Sequence, residues 1–293
     1  MEAIGTLTAY SFVSRRPVNA ALDLHRLVHL TTRNWLRKEE KLNQWMEKTI
    51  IRLEEVFPDN DHEQRNTWRI YLPHARQVLA SDLVSEDEEQ RISLMWKYGR
   101  CLHSDGRWDE AEATFTELIA IDRKTLGEES SSTLSSMAWL ASTFRNHGRW
   151  EEAEQLEVQV METRKTKLGA DHPDTLSSMA NLASTFRNQG RWEEAEQLFV
   201  QVMETRKTKL GVDHPSTLTI MNNLAFTWKG LGRDAKAIQL MRDCVKRQTC
   251  ILGATHPQSL SSKEALIEWE AERLDISTDI ATRRGCDFNV LIC

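Results

Sequence analysis

The stretch Leu182–Phe199 has the sequence LASTFRNQGRWEEAEQLF and carries the strongest indication of the fold. Its Gly-Arg-Trp triplet at 190–192 also occurs at 106–108 and 148–150, and a Gly-Arg-Asp triplet follows at 232–234. Two further markers keep the same period of 42 residues. They are a Leu-Gly pair that begins at Leu126, Leu168, Leu210 and Leu252, and a His-Pro pair that begins at His172, His214 and His256. Three markers in one register indicate an internal repeat.

The sequence of one repeat predicts a helical hairpin. Pro173 favours a first helical turn, and the apolar residues after it recur at helical spacing. Gly190 is typical of the end of a helix, and a second segment of helical apolar spacing begins near Trp192. Two helices joined by so short a turn must lie antiparallel. The small residues Ala183 and Ala195 mark the place where they cross closely.

A single hairpin of this kind cannot bury its own apolar face, whereas stacked hairpins share a continuous core. About four repeats fit between residues 88 and 252. A final helix is predicted at 257–272, where it covers the open end of the stack. The expected fold class is therefore all-α, a solenoid of helical hairpins.

The second and third repeats are almost copies of each other. Residues 134–169 and 176–211 differ at three positions, with Trp139 in place of Asn181, His147 in place of Gln189, and Glu157 in place of Phe199. Because Glu157 replaces an aromatic residue of the core pattern, we predict that the second repeat is locally weaker. If its carboxylate is buried, Glu157→Phe is expected to raise the melting temperature.

The repeat resembles a known family. The pattern Leu182-Ala183-x-x-Phe186-x-x-x-Gly190-x-Trp192-x-x-Ala195-x-x-x-Phe199 is similar to the tetratricopeptide consensus. The 42-residue period and the Leu-Gly-x-Asp-His-Pro link resemble the longer variant found in kinesin light chains. The resemblance covers roughly residues 88–272. It implies a tetratricopeptide solenoid that binds protein partners and is not an enzyme.

The N-terminal third lacks the 42-residue period. Residues 10–13 and 21–24 are predicted to pair as short strands around a turn at 15–19, and a helix is predicted from about 25 to 38. Further helices are expected at 41–57 and 62–80, with turn residues between them.

This strand pair and helix, with Leu24-His25-Arg26 between them, resemble the end of a winged-helix domain. The nearest family is the NB-ARC or STAND type of signalling NTPase, whose fungal members carry kinesin-light-chain-like repeats. In that family a Met-His-Asp motif stands here, and its histidine approaches the β-phosphate of bound ADP. The resemblance implies nucleotide sensing by His25, but only within a longer parent protein. The alternative is a histidine at a helix N-terminus without a ligand, and Arg26 replaces the acid of the motif.

The sequence contains no P-loop of the form Gly-x-x-x-x-Gly-Lys-Ser/Thr. Without that phosphate cradle the hydrolysis machinery is missing, so we expect neither a nucleotide hydrolase nor a bound cofactor. The chain resembles the C-terminal portion of an NB-ARC-like protein, as a fragment or as the product of a split or truncated gene.

Composition narrows the function classes further. The net charge of -6 argues against affinity for nucleic acid, and no apolar stretch is long enough to cross a membrane. The five cysteines are odd in number and have no Cys-x-x-Cys spacing, which favours reduced thiols in the cytoplasm. We expect no metal site: the recurring His-Pro histidines are structural linkers, and Asp59-Asn60-Asp61 lacks the glycine and glutamate of a calcium loop.

In tetratricopeptide solenoids the first helix of each hairpin lines a concave groove. The resemblance places a basic and amide-rich stripe there, made of Arg100, Arg145, Asn146, Asn181, Arg187, Asn188, Asn222, Asn223 and Lys229. Guanidinium and amide groups can hold carboxylates and peptide backbone. The expected partner is therefore a protein or peptide of acidic character, and the alternative is that the stripe is a solvated helix face.

The favoured hypothesis is a protein-interaction scaffold, the partner-sensing repeat arm of an NB-ARC-like signalling protein. A kinesin-light-chain-like cargo adaptor is the alternative, which is less favoured because residues 1–82 show no heptad coiled coil. The predicted domains are a partial winged-helix-like segment at 1–38, a helical linker at 39–87, the repeats at 88–272 and a loose tail at 273–293.

Overall fold

The computed structural model describes the backbone of residues 13–15, 22–81 and 89–287. Side chains are described over the same ranges except at Arg15, His62 and residues 274–287. The chain divides into two compact units, Met1–Gly127 and Glu128–Cys293, which we call the N-terminal and the C-terminal unit.

The N-terminal unit contains a strand pair followed by helices. Strands β1 (Val13–Arg15) and β2 (Leu22–Leu24) are antiparallel, and Val13 pairs with Leu24. The elements that follow are α1 (Arg26–Lys38), α2 (Leu42–Val56), a 3-10 turn (His62–Gln64) and α3 (Arg65–Leu79). The first repeat is the hairpin of α4 (Glu89–Ser104) and α5 (Trp108–Leu126).

The C-terminal unit contains the other three repeats and a final helix. Its elements are α6 (Ser131–Asn146) with α7 (Trp150–Leu168), α8 (Pro173–Asn188) with α9 (Trp192–Leu210), α10 (Pro215–Gly230) with α11 (Asp234–Ile251), and α12 (Pro257–Asp287). The first helices of neighbouring repeats contact each other, α6 with α8 and α8 with α10, so these three form one layer. The predicted all-α fold and its helical hairpins are confirmed.

The Gly-Arg-Trp triplet forms the turn inside each hairpin. Gly190 has a φ of +79°, which residues with a side chain rarely adopt. The backbone N–H of Arg191 then donates to the carbonyl of Phe186 at 2.9 Å, which closes a Schellman turn. The Arg191 guanidinium lies 4.0 Å from the centre of the Phe186 ring and donates to both carboxylate oxygens of Glu194. The triplet thus ends one helix and fixes the start of the next.

The Leu-Gly and His-Pro markers form the link between repeats. Gly169 follows the end of α7 with a φ of +93°. Nδ1 of His172 accepts a hydrogen bond from the backbone N–H of Asp174 at 3.2 Å and so caps α8, which begins at Pro173. The histidines of the next two His-Pro pairs make the same bond at the starts of α10 and α12. The structural role predicted for these histidines is confirmed.

The core of the third repeat lies where the apolar spacing places it. Ala183 and Ala195 are fully buried, as their predicted place at the helix crossing requires. The other buried apolar residues of the cluster are Leu176, Met179, Ala180, Leu182, Phe186, Phe199, Val202, Ile220 and Leu224. Two of these, Ile220 and Leu224, belong to α10, so each hairpin completes its core with the next one.

The observed boundaries differ from the predicted ones at both ends of the chain. Strand β1 extends to Arg15, which the sequence assigns to the turn, while residues 10–12 and 21 lie outside the described ranges. The final helix continues to Asp287, so the backbone at 273–287 is helical where a loose tail is expected from sequence. No proline or glycine interrupts this segment before Gly285. Residues 288–293 of the tail lie outside the description. No helix within the described ranges is long and apolar enough to span a membrane.

Candidate functional site

Glu157, the residue that sets the second repeat apart from the third, is buried with 2% of its surface exposed. Its carboxylate accepts one hydrogen bond from Nη1 of Arg145 at 2.8 Å and one from Oγ1 of Thr185 at 2.6 Å. Since Glu157 lies on α7, Arg145 on α6 and Thr185 on α8, the carboxylate joins three helices of two repeats. A charged group this deep is tolerated only with such partners.

Arg145 donates its hydrogen bonds to Glu157 and to groups of α6 and α8 around it. Besides the Glu157 carboxylate, it donates to the backbone carbonyl of Asn181 at 3.2 Å and to Oγ of Ser142 at 3.1 Å. Burial raises the pKa of Glu157, and the Arg145 charge and the Thr185 hydroxyl oppose that rise. Arg145 is therefore a structural cation, with its charge balanced inside the repeat stack.

Arg187 holds in the third repeat the position that Arg145 holds in the second. The residue that matches Glu157 is Phe199, which is fully buried and apolar. Among the side chains that the structure describes, none forms an ion pair with Arg187. Burial lowers the pKa of Arg187, and the neighbouring charge of Arg145 lowers it further. Arg187 is thus a half-buried cation without a counter-charge.

Lys229 holds the same position in the fourth repeat and is paired. Its ammonium lies 3.0 Å from the carboxylate of Asp234 and 2.8 Å from that of Glu272. The hydrogen bond to Glu272 and the one to Asp234 raise the pKa of Lys229 against the opposing effect of burial. It also lies 5.9 Å from the centre of the Trp269 ring.

Arg100 lies in the N-terminal unit, on α4, four residues before the end of its helix. Arg145, Arg187 and Lys229 each lie one residue before the end of theirs, so Arg100 is one turn out of register with them. Its guanidinium bonds Asp59 at 3.4 Å and the side chain of Asn60 at 2.5 Å. Arg145, Arg187 and Lys229 therefore occupy equivalent positions in their repeats, and Arg100 does not.

The amide residues of the predicted stripe differ in exposure. Asn181 and Asn223 are half-buried, whereas Asn146 and Asn188 are exposed at the ends of their helices. The side-chain oxygen of Asn222 accepts a hydrogen bond from Ser262 on α12 at 2.8 Å. The exposed and half-buried amides near Arg187 can still donate to a peptide backbone.

His25 is exposed and precedes α1 as its N-cap. Its Nδ1 accepts a hydrogen bond from the backbone N–H of Leu27 at 3.2 Å, which is the bond that the His-Pro histidines make in the repeats. The structure places a capping group here. Nucleotide sensing in a longer parent protein stays a prediction.

Two buried arginines, Arg164 and Arg206, were not predicted from the sequence. Arg164 donates to the hydroxyl groups of Ser178 and Ser135, at 3.0 and 3.1 Å. Arg206, 42 residues later, donates to the hydroxyl of Ser177 at 3.0 Å. Both tie the second helix of a repeat to neighbouring first helices, and burial lowers the pKa of each. The signal in the sequence is the recurrence of arginine at a core-facing place of the second helix.

Two family models, both described as tetratricopeptide repeat, match the chain. One matches residues 175–216 and 217–258, and the other matches 90–166. Together these matches span more than half of the 293 residues.

One curated relative is a nucleotide-binding leucine-rich repeat (NLR)-like protein of Hyaloscypha variabilis, 39% identical over 138 residues. These residues are 47% of this chain and 14% of that protein, so the chain spans a small part of the relative's length. A solved Podosopora anserina structure of nearly identical TPR-like repeats, assigned there to a kinesin light chain, is 26% identical with a TM-score of 0.54. It covers 71% of this chain and 99% of its own. BtubC (BKLC) from P. vanneervenii has a TM-score of 0.54 at 15% identity, covers 78% of this chain and 91% of its own, and supports the fold alone.

Proposed function

Because this chain belongs to the tetratricopeptide repeat family, whose members are protein-interaction scaffolds, we propose that it binds an acidic peptide segment of a partner protein. The binding surface is the layer formed by α6, α8 and α10, here called the groove. One observation supports it above the others: Arg187, on the middle helix of that layer, is half-buried and has no acidic partner among the described side chains. A charge held in this way gains a strong hydrogen bond when a carboxylate arrives.

We further propose that the chain serves as the repeat arm of an NB-ARC-like signalling protein. The similarity to an NLR-like protein and the strand pair that precedes α1 support this assignment. In this role the arm recognises its partner and supplies no catalysis, and it acts in the cytoplasm. Burial raises the pKa of the Cys101 and Cys244 thiols to about 12, so both stay protonated and unreactive at neutral pH.

A binding experiment with one charge reversal tests the proposed groove. Arg187→Glu reverses the unpaired charge without breaking an ion pair of the fold. Lys207→Glu makes the same change at an exposed lysine of the second helix α9 and serves as the matched control. In affinity capture from cell extract, a specific partner is expected to bind the native chain and Lys207→Glu but not Arg187→Glu. Equal binding by all three chains, each of native helicity, contradicts the groove.

A second candidate function is a kinesin-light-chain-like cargo adaptor. The similarity to the Podosopora anserina structure, over nearly all of that chain, favours it. Pull-down of a kinesin heavy chain by the purified protein is the discriminating measurement. Its capture supports the adaptor, whereas capture of an NB-ARC-type protein alone supports the signalling arm.

Nucleotide hydrolysis is tested separately, with the isolated chain. Equilibrium dialysis against labelled ATP with magnesium is expected to show no binding, because the sequence lacks a P-loop. Tight, magnesium-dependent binding contradicts the assignment as a pure binding arm.

A further inference from the structure

The three repeats of the C-terminal unit each have a cation at the same position of the first helix, but the three cations differ in their acidic partners. Arg145 is neutralised by the buried Glu157, and Lys229 by Asp234 and Glu272. Arg187 has no such acid among the described side chains. Of these three cations, the one in the third repeat is therefore the one whose charge is not balanced by a described side chain.

The difference arises from one residue of the second helix. Glu157 and Phe199 occupy matching positions in repeats whose other residues from 134 to 169 and from 176 to 211 are almost all identical. In the second repeat the residue on α7 supplies an internal carboxylate. In the third repeat the matching residue on α9 supplies a buried ring, so the carboxylate for the arginine has to come from outside.

The other partner of Glu157 also has a counterpart in the next repeat. The hydroxyl of Thr185 donates to the Glu157 carboxylate, and the matching Thr227 is buried on α10. The Thr227 hydroxyl donates to the backbone carbonyl of Asn223 at 2.9 Å. A carboxylate placed at position 199 would therefore have an arginine and a threonine at the positions that match Arg145 and Thr185.

The Arg187 guanidinium remains in contact with water. Buried side-chain nitrogen atoms without a hydrogen bond are found at other arginines of the chain, such as Arg65 and Arg247, but not at Arg187. Since no group among the described residues accepts from it, its donors are available to solvent or to a ligand. A single guanidinium can bind a carboxylate with two parallel hydrogen bonds, whereas phosphorylated motifs are recognised by clusters of arginines.

We propose that Arg187 is the specificity-determining residue of the groove, that it binds an aspartate or glutamate side chain of the partner peptide, and that Phe199 keeps it free to do so. Arg145 does not have this role, because its guanidinium is already bound by the Glu157 carboxylate inside the fold. This inference rests on the proposed function, because it names the residue by which the groove selects acidic partners.

Fluorescence anisotropy with two synthetic probes tests the inference on the full chain. One probe is a fluorescein-labelled peptide pool with Asp and Glu at fixed positions, and the other carries Asn and Gln at the same positions. The native chain is expected to prefer the acidic pool by about 10-fold, as one charge-assisted pair provides. Phe199→Glu is expected to abolish this preference, because the new carboxylate occupies Arg187. Phe199→Leu, which adds no charge, is expected to keep it.

The reciprocal change sharpens the test. Glu157→Phe frees Arg145 and is expected to strengthen the preference for the acidic pool by about a further 10-fold. Circular dichroism shows whether each variant keeps native helicity. Should Phe199→Glu lose helicity, Arg187→Gln takes its place, since it removes the cation without breaking an ion pair, and the same loss of preference is expected.

The outcomes separate the two proposals. Retained preference in a folded Phe199→Glu variant overturns the role of Arg187 and leaves the proposed binding of an acidic peptide intact. Equal binding of both pools by the native chain overturns the role of Arg187 together with the acidic character of the partner, and leaves only peptide binding itself. Binding of neither pool by the native chain contradicts the groove itself, and the role of Arg187 with it. Loss of preference in Phe199→Glu together with its persistence in Phe199→Leu supports the inference.

Discussion

The second and third repeats have nearly the same sequence and the same fold, yet they differ in electrostatics. In the second, the buried Glu157 balances Arg145, while in the third the matching residue is the buried Phe199, and no described side chain supplies a counter-charge to Arg187. The residue at a single core position thus accompanies the difference between an arginine that is paired within the fold and one that has no acidic partner among the described side chains. Duplicated repeats can keep their packing and still diverge in binding, because the substituted residue lies on the second helix and its effect appears on the first.

The largest expected effect comes from removing the cation of the second repeat. Arg145→Ala leaves Glu157 buried without its counter-charge, and we expect a loss of about 3 kcal/mol in the free energy of unfolding. Arg187→Ala, the matched change in the third repeat, is expected to cost less than about 1 kcal/mol, since it breaks no ion pair. Urea denaturation followed by circular dichroism measures both. Equal losses show that the two arginines have the same structural role.

The next effect concerns the contact at the end of each first helix. Trp192 of the third repeat packs against Gly230, where an added Cβ would lie 2.5 Å from its ring. Asn188 stands at the place that matches Gly230 in the preceding repeat and is exposed. Gly230→Ala is therefore expected to lower the free energy of unfolding by about 1–2 kcal/mol, despite the better helix propensity of alanine.

The control for that contact is Asn188→Ala. It is expected to be neutral or to stabilise by about 0.5 kcal/mol, because alanine favours the helix and its Cβ replaces one that Asn188 already has. Thermal denaturation of both variants gives the comparison. A stabilising Gly230→Ala shows that the Trp192 ring can move aside.

Making the second repeat resemble the third is expected to change the free energy of unfolding by a smaller amount and to raise it. Glu157→Phe replaces a buried carboxylate with the ring that the third repeat already accommodates, and we expect a gain of about 1 kcal/mol in the free energy of unfolding. The third repeat already carries an arginine and a buried phenylalanine, Arg187 and Phe199, at the two matching positions, so the fold accommodates this combination. Differential scanning calorimetry should find a raised melting temperature, and a lowered one means that the Glu157 ion pair is a net stabilising interaction.

The smallest effect is a dependence on pH. Because burial raises the pKa of Glu157 in the folded chain above its unfolded value, the folded state binds more protons between those two values. The contribution of Glu157 to stability is therefore fully present below the unfolded pKa and is lost as pH rises through the folded one. Melting temperatures of the native chain and of Glu157→Phe, compared from pH 4 to 7, should differ more as pH rises. A constant difference contradicts the raised pKa.

The apolar spacing and the turn glycines were enough to predict the hairpins, because both are local signals. Gly190 must adopt a positive φ, and Pro173 begins a helix whatever lies around them. The end of α12 was predicted too early, because the prediction ended the helix where the apolar pattern ends. The backbone instead stays helical to Asp287, and no proline or glycine occurs after Pro257 until Gly285. For the candidate groove, the sequence placed four cations in one stripe, but it could not show that Arg100 is out of register or which of the four is paired.

The repeat, its 42-residue period, the hairpin turns and a structural role for the His-Pro histidines could all be predicted from the sequence, since the turns and links depend on residues a few positions apart and the period is a recurrence of letters. Only the tertiary structure decided that Glu157 is buried and bonded to Arg145 and Thr185, and that Arg187 has no such partner among the described side chains. The physical reason is that an ion pair depends on the distance between charges in space. Glu157 and Thr185 are 28 residues apart and belong to different repeats, and folding alone brings them to 2.6 Å.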